Sequence, residues 1–135
     1  MSLAASLAGL PAFIIYYVGA LVLTVGYGLV YTRVTDHDEI ALIKANNPAA
    51  AIAFAGSLLG FVVPLASAIT NSVSVVDAMV WGVVALIVQI LAYLASRLVF
   101  GQIGARITNG EIAAGVQLGV TSFAAGVLQA ACMTY

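Results

Sequence analysis

Few residues in this 135-residue chain could take part in ion or proton chemistry. Asp77 precedes the third apolar segment, and Gln89 is an amide in the middle of it. Ser67 and Gln129 add polar side chains to the second and fourth apolar segments. Because polar and acidic groups at membrane depth are costly and often functional, these four residues are candidates to line a path for a cation or a proton.

Each candidate also has a purely structural interpretation. Ser74 lies three residues before Asp77, which is the spacing of a helix N-cap with an acid in the first turn. Glutamine amides in apolar helices commonly hold neighbouring helices together, at about 1 kcal/mol or less per contact. The sequence favours helix capping for Asp77 and helix contacts for the glutamines, with the polar path as the alternative.

The run from Asp36 to Glu39 contains residue types that bind metals. Consecutive helical positions point in different directions, and no second histidine is available. We therefore expect a solvated helix start, with Thr35 and Asp38 forming a capping box, followed by a short helix on the membrane interface. A reduced version of this helix is expected around Arg106 and Ile107.

Enzymatic chemistry has little support in the chain. It has one histidine and one cysteine, and it contains no phosphate loop, serine elbow or metalloenzyme pattern. We expect no catalytic activity, no cofactor and no metal. Cys132 is expected to be buried and inert, with an intersubunit disulfide as the alternative. Four scattered basic residues make no nucleic-acid footprint.

The elements that position these residues are membrane helices. The chain is 64% hydrophobic and 7% charged, against about 25% charged in an average soluble domain. Four apolar runs, at about 11–32, 48–70, 78–100 and 112–133, each approach the roughly 20 residues that cross a bilayer as a helix. The predicted fold is all-α and integral to the membrane, with Tyr27 and Tyr31 at one interface.

Basic residues predict the orientation of these helices. Arg33, Lys44, Arg97 and Arg106 all lie in, or next to, the connections 33–47 and 101–111. By the positive-inside tendency these connections are cytoplasmic, so both termini are periplasmic in a bacterium.

A weak internal similarity predicts two parallel repeats. Arg33 recurs as Arg97, and Asn46 and Gly56 recur 63 residues later as Asn109 and Gly119. We therefore expect two helical hairpins, 1–72 and 73–135, related by an axis along the membrane normal.

Small residues predict close helix contacts. Gly56 and Gly60 form a GxxxG pair in the second run, which is the spacing that lets membrane helices approach closely. A similar stripe in the fourth run contains Gly115, Gly119 and Gly126. These faces could pack within one subunit or across a dimer, and we expect a homodimer. Pro64 should bend the second helix or require a polar neighbour for the carbonyl of Gly60.

Several stretches resemble a known family. The segments TDHDEIALIKANNPAAAIAFAGSLLGFVVPLASAI, VVDAMVWGVVALIVQ and the terminal AACMTY are similar to the YjfL family of bacterial inner-membrane proteins. That family is a UPF-type group built on a domain of unknown function. The resemblance implies a four-helix inner-membrane protein made of two copies of one domain. The genes often found next to those of family members are a hint of a role in envelope stress.

Two functions are compatible with these observations. The favoured one is a structural or accessory membrane subunit that contacts lipids and binds a cytoplasmic or membrane protein partner through its loops. The alternative is a small ion- or proton-coupled channel or transporter, with a polar path near Asp77 and Gln89.

Overall fold

Four long helices and three short ones make up the part of the protein that the structure describes. The computed structural model describes residues 2–133, and in chain order the helices are α1 (Leu3–Leu7), α2 (Leu10–Val34), α3 (Glu39–Lys44), α4 (Pro48–Asn71), α5 (Val75–Phe100), α6 (Ile103–Thr108) and α7 (Ile112–Cys132). The long helices α2, α4, α5 and α7 are each long and apolar enough to cross a membrane. The predicted all-α membrane fold is therefore confirmed.

Side-chain caps determine where several helices begin. Ser74 accepts a hydrogen bond from Asp77 N at 3.1 Å, so α5 begins at Val75, three residues earlier than the predicted span. The carboxylate of Asp77 in turn accepts from Val73 N at 3.2 Å. The predicted capping role of Asp77 is confirmed.

The first connection differs from the predicted capping box. Asp38, and not Thr35, is the N-cap of α3, and its carboxylate accepts from Ala41 N. Thr35 ends the preceding helix, since its backbone N–H donates to Tyr31 O. Thr35 is therefore the C-cap of α2 and does not cap the start of α3. The expected short helix in the second connection is present as α6.

The two halves of the chain share one order of elements: long helix, six-residue helix, long helix. Glu39 and Ile103 begin the short helices, and both precede the next long helix by nine residues. The positive φ angles of Asn46 (66°) and Gly110 (79°) close the two short helices. The starts of the short helices and of the long helices that follow them are 64 residues apart, against 63 for Asn46 and Asn109, a difference within the uncertainty of helix ends. The duplication itself stays a prediction.

Helices α4 and α7 form the centre of the bundle. They run parallel and pack along most of their length, while α5 packs against both. A Cβ on Gly56 would overlap the backbone of Gly119, and a Cβ on Gly126 would overlap the carbonyl of Gly60. Gly115 is equally close to the backbone of α4. The predicted glycine contacts therefore lie within one subunit, and they give no support to the expected homodimer.

Proline in α4 leaves one carbonyl without a helical partner. The helix continues from Pro48 to Asn71 through Pro64, which has no N–H to donate to Gly60 O. That carbonyl lies against Gly126 of α7. The close neighbour is thus the Cα of Gly126, and a Cα–H···O contact of this kind is a recurrent feature of helix interfaces. The expectation of a bend or a polar neighbour at Pro64 stays a prediction.

Candidate functional site: a buried polar cluster

Polar side chains gather inside the bundle at the end that carries the short helices. We call Tyr27, Tyr31, His37, Glu39 and Tyr93 the buried polar cluster. Each of the five is at most 5% exposed. The rings of Tyr31 and Tyr93 are 5.6 Å apart, and Glu39 interacts electrostatically with all three phenols. The cluster therefore joins α2, α5 and the start of α3.

Helical spacing and aromatic contacts position the tyrosines. Tyr27 and Tyr31 are one turn apart on α2 and lie on one face. Tyr27 stacks on Phe61 of α4 at 4.7 Å, and Tyr31 meets Phe54 edge-on at 5.8 Å. The two tyrosines are thus packed inside the bundle near the end of α2, and their predicted position at the membrane interface stays a prediction. Contact with the aromatic residues of α4 explains why they turn inward.

The acidic connection is only half solvated. Asp36 and Asp38 are exposed, whereas the side chains of His37 and Glu39 are 1% and 0% exposed. Asp36 pairs outward with Arg97 at 3.3 Å, and Asp38 caps α3. Because residues 35–38 are not helical, successive side chains alternate between outside and inside. The expected solvated helix start is therefore wrong for His37 and Glu39.

Two ionisable side chains of the cluster face each other directly. His37 Nε2 lies 2.5 Å from Glu39 Oε1. Helix α6 covers this pair: a Cβ on Gly104 would be 3.3 Å from His37 Nδ1. A buried carboxylate is costly unless a partner compensates its charge. The histidine is the nearest group that can do so.

Much of the cluster's hydrogen-bonding capacity is unused within the protein. His37 Nδ1 and Glu39 Oε2 have no hydrogen-bond partner, and the three tyrosine hydroxyls make no hydrogen bond of good geometry, although Ser57 lies near the hydroxyls of Tyr27 and Tyr31 and the Asp36 backbone lies near that of Tyr93. Buried polar groups are normally paired, so atoms of this kind call for water, a proton or a small cation. Residues 2–133 contain no group of three or more His, Cys, Asp or Glu side chains that could hold a metal.

The four predicted path residues do not meet at one place. Asp77 caps α5 at its first turn, and Gln89 is 12 residues further on, roughly 18 Å along the helix. The side-chain oxygen of Gln89 lies against Gly60, 3.1 Å from where a Cβ would stand, and its amide has no hydrogen-bond partner. Ser67 donates to Ala130 O at 3.2 Å, next to Gln129, whose amide is also buried without a partner.

Cys132 is exposed, and the prediction that it is buried is wrong. It lies in the last turn of α7. The side of α7 that packs on α4 carries Gly126 and Ala130, and a position six residues after Gly126 points away from it.

Sequence reasoning missed Asn47, which ties the two connections together. Its side-chain oxygen caps α4 by accepting from Ala50 N at 3.1 Å, and its Nδ2 donates to Ile107 O at 2.9 Å. The Asn-Pro start of a helix is a recognisable capping signal, but the bond to Ile107 spans 60 residues and has no local signature.

We expect Asn47→Ala to lower the free energy of unfolding by about 2 kcal/mol, because it removes a helix cap and a tertiary hydrogen bond together. Thermal unfolding in detergent measures the effect. Asn109→Ala, at the exposed end of α6, is the matched control and should change stability by less than about 0.5 kcal/mol. Equal loss in both variants would contradict the assigned role of Asn47.

Four membrane-crossing helices, joined on one side by two short helices and their charged residues, define a polytopic α-helical membrane protein. The chain belongs to the family described as Domain of Unknown Function (DUF350), whose sequence model matches residues 5–133. It is 40% identical over 126 residues to the UPF0719 inner membrane protein YjfL of Escherichia coli K12, covering 93% of this chain and 96% of that protein. The YjfL protein of Escherichia coli O157:H7 matches to the same extent. No solved structure matches the chain significantly. The predicted family and the inner-membrane location are thereby confirmed.

Proposed function

We propose that this protein is an accessory subunit of the inner membrane that binds a protein partner through its cytoplasmic face, and not a conducting pore. The observation that carries the proposal is the centre of the bundle. Where a pore would need a lumen, the backbones of α4 and α7 touch at Gly56, Gly60 and Gly126. Contact this close leaves no space for hydrated ions between the two helices.

The end with the short helices supplies a surface suited to a partner. Asn47 ties α4 to α6, and Asp36 pairs with Arg97 of α5, so the connections are fixed to the helices beneath them. A hollow of about 440 Å³ opens there, lined by Asp36, Gln102, Gly104, Ala105, Thr108 and Asn109. Its two amides, one hydroxyl and one carboxylate can form hydrogen bonds with a protein loop. A link to envelope stress belongs to the same proposal and awaits identification of the partner.

Flux measurements test the proposal directly. We expect liposomes that contain the purified protein to pass protons and monovalent cations no faster than empty liposomes, at any applied voltage or pH gradient. Asp77→Asn should leave this background unchanged, because the carboxylate serves as a helix cap. Flux above background that falls in Asp77→Asn would replace the accessory role with a transport role.

A proton-coupled function is the second candidate, and the buried polar cluster is the observation that favours it. His37 and Glu39 are within hydrogen-bond distance and could exchange a proton, and the buried phenols of Tyr27, Tyr31 and Tyr93 belong to the same cluster. Proton flux that is abolished by Glu39→Gln and unaffected by Asp77→Asn would support this candidate. Such a result would place the route at the end with the short helices and exclude the path predicted from the sequence.

Orientation is testable with the single cysteine. We predict that a membrane-impermeant maleimide labels Cys132 in cells with a permeabilised outer membrane, because Cys132 is exposed and the C-terminus is predicted to be periplasmic. A Lys44→Cys, Cys132→Ser variant should react only after the inner membrane is opened. The reverse pattern would invert the predicted topology.

A further inference from the structure

A groove runs along the membrane-facing surface between α2 and α4 and reaches α3. It encloses about 320 Å³, and its lining includes Val25, Gly28, Leu29, Ile40, Phe54 and Leu58. Gly28 opens it, because a Cβ there would meet only the far end of the Phe54 ring, at 3.8 Å. Along α2 the lining extends from Thr24 to Thr32, which is roughly 12 Å of helix.

Two basic residues continue the lining at the end near α3. Arg33 follows Leu29 by four residues on α2, and Lys44 follows Ile40 by four residues on α3. Positions four apart lie on one helix face, so each cation extends a stripe that begins inside the groove. Both residues are exposed.

These two cations differ from the other two in the chain. Arg97 pairs with Asp36 and Arg106 pairs with Glu111, whereas neither Arg33 nor Lys44 takes part in an ion pair within residues 2–133. On each of α2 and α3, one cation without an ion-pair partner in residues 2–133 thus follows a groove-lining residue by one helical turn.

We propose that the groove, Arg33 and Lys44 form a binding site for an anionic phospholipid. One acyl chain lies between α2 and α4, and the phosphate lies between the two cations. An apolar groove alone cannot select a lipid, because the surrounding tails are equally apolar. Selectivity therefore comes from the headgroup charge, and the groove fixes where that headgroup sits. Each basic residue near an anionic surface contributes about fivefold in affinity.

Charge variants test the headgroup contact. Purified protein in neutral detergent is titrated with dioleoylphosphatidylglycerol or dioleoylphosphatidylcholine, and bound lipid is counted by native mass spectrometry. We expect the protein to prefer phosphatidylglycerol by about 25-fold, from two cations at about fivefold each. Arg33→Gln with Lys44→Gln should remove most of this preference, and each single variant should remove about a fivefold part of it.

A variant that fills the groove distinguishes lipid binding in the groove from attraction of lipid to the general surface charge. Gly28→Leu fills the groove without altering charge and should reduce phosphatidylglycerol binding at least tenfold. Gly26→Leu, two residues away on α2, is the matched control, because nothing lies within 4 Å of a Cβ there. It should bind as the unaltered protein does.

Three results would overturn the proposal. The first is equal binding of the two lipids, and the second is a preference that survives loss of both cations. The third is equal binding by Gly28→Leu and Gly26→Leu, which would assign any preference to general surface charge. If Gly28→Leu unfolds, the charge variants decide the question alone, because Arg33 and Lys44 are exposed and their loss leaves no buried group unpaired.

Discussion

Gly126→Ala should lower the free energy of unfolding by about 2 kcal/mol, although alanine is the better helix former. The added methyl group would overlap the carbonyl of Gly60, which is backbone and cannot rotate away. Helices α4 and α7 would have to separate along the contact that forms the centre of the bundle. The measurement is thermal or denaturant unfolding of the purified protein in detergent.

Gly26→Ala is the matched control for this substitution. It adds the same methyl group to a membrane helix, but nothing lies within 4 Å of the new Cβ. We expect it to be neutral or stabilising by up to about 1 kcal/mol through helix propensity alone. The two variants should therefore differ by about 2 to 3 kcal/mol. Equal stabilities would contradict the close contact between α4 and α7, and with it the argument against a pore.

The second large effect concerns the buried pair. His37→Gln should cost about 3 kcal/mol or more, because it leaves the Glu39 carboxylate buried without a compensating charge. Glu39→Gln removes that charge, so the double variant should be more stable than the sum of the two single losses predicts. We expect a coupling energy of at least about 1.5 kcal/mol from the double-mutant cycle.

An exposed pair provides the comparison. Arg106 Nε and Glu111 Oε1 are 3.2 Å apart, and the two side chains are 40% and 46% exposed. Arg106→Gln should cost no more than about 1 kcal/mol, because solvent already screens the pair. Additive losses at His37 and Glu39, or losses as small as that of Arg106→Gln, would show that the two side chains are not buried together.

Fold class could be predicted from the sequence because membrane insertion depends on local composition. The four apolar runs and the cap at Ser74 required no knowledge of distant contacts, and all appear in the structure. The glycine stripes also indicated close packing. Their partner could not be predicted, since a GxxxG face fits a helix of the same subunit as well as one of another copy.

The candidate site could not be predicted for a different reason. Tyr27, Tyr31 and Tyr93 come from two helices, and a tyrosine near a helix end is equally typical of a membrane interface. The alternation that buries His37 and Glu39 exists only because the connection is not helical before Asp38. Capping rules gave the wrong starting residue, so the side chains of His37 and Glu39 were assigned to the solvated side although both are buried.

The packing of α4 against α7 also has a consequence for the order in which the helices assemble during synthesis. During synthesis α7 is the last of the four long helices to enter the membrane, so the glycine face of α4 is covered only when translation is nearly complete. Until then Ser57, whose hydroxyl hydrogen-bonds that of Ser122 at 3.3 Å, has no partner on α7. Before α7 is inserted, lipid or an insertion chaperone therefore covers the glycine face of α4. In the folded protein that face is buried against α7. A chain that stops before α7 would remain in that state, as a substrate for membrane proteases.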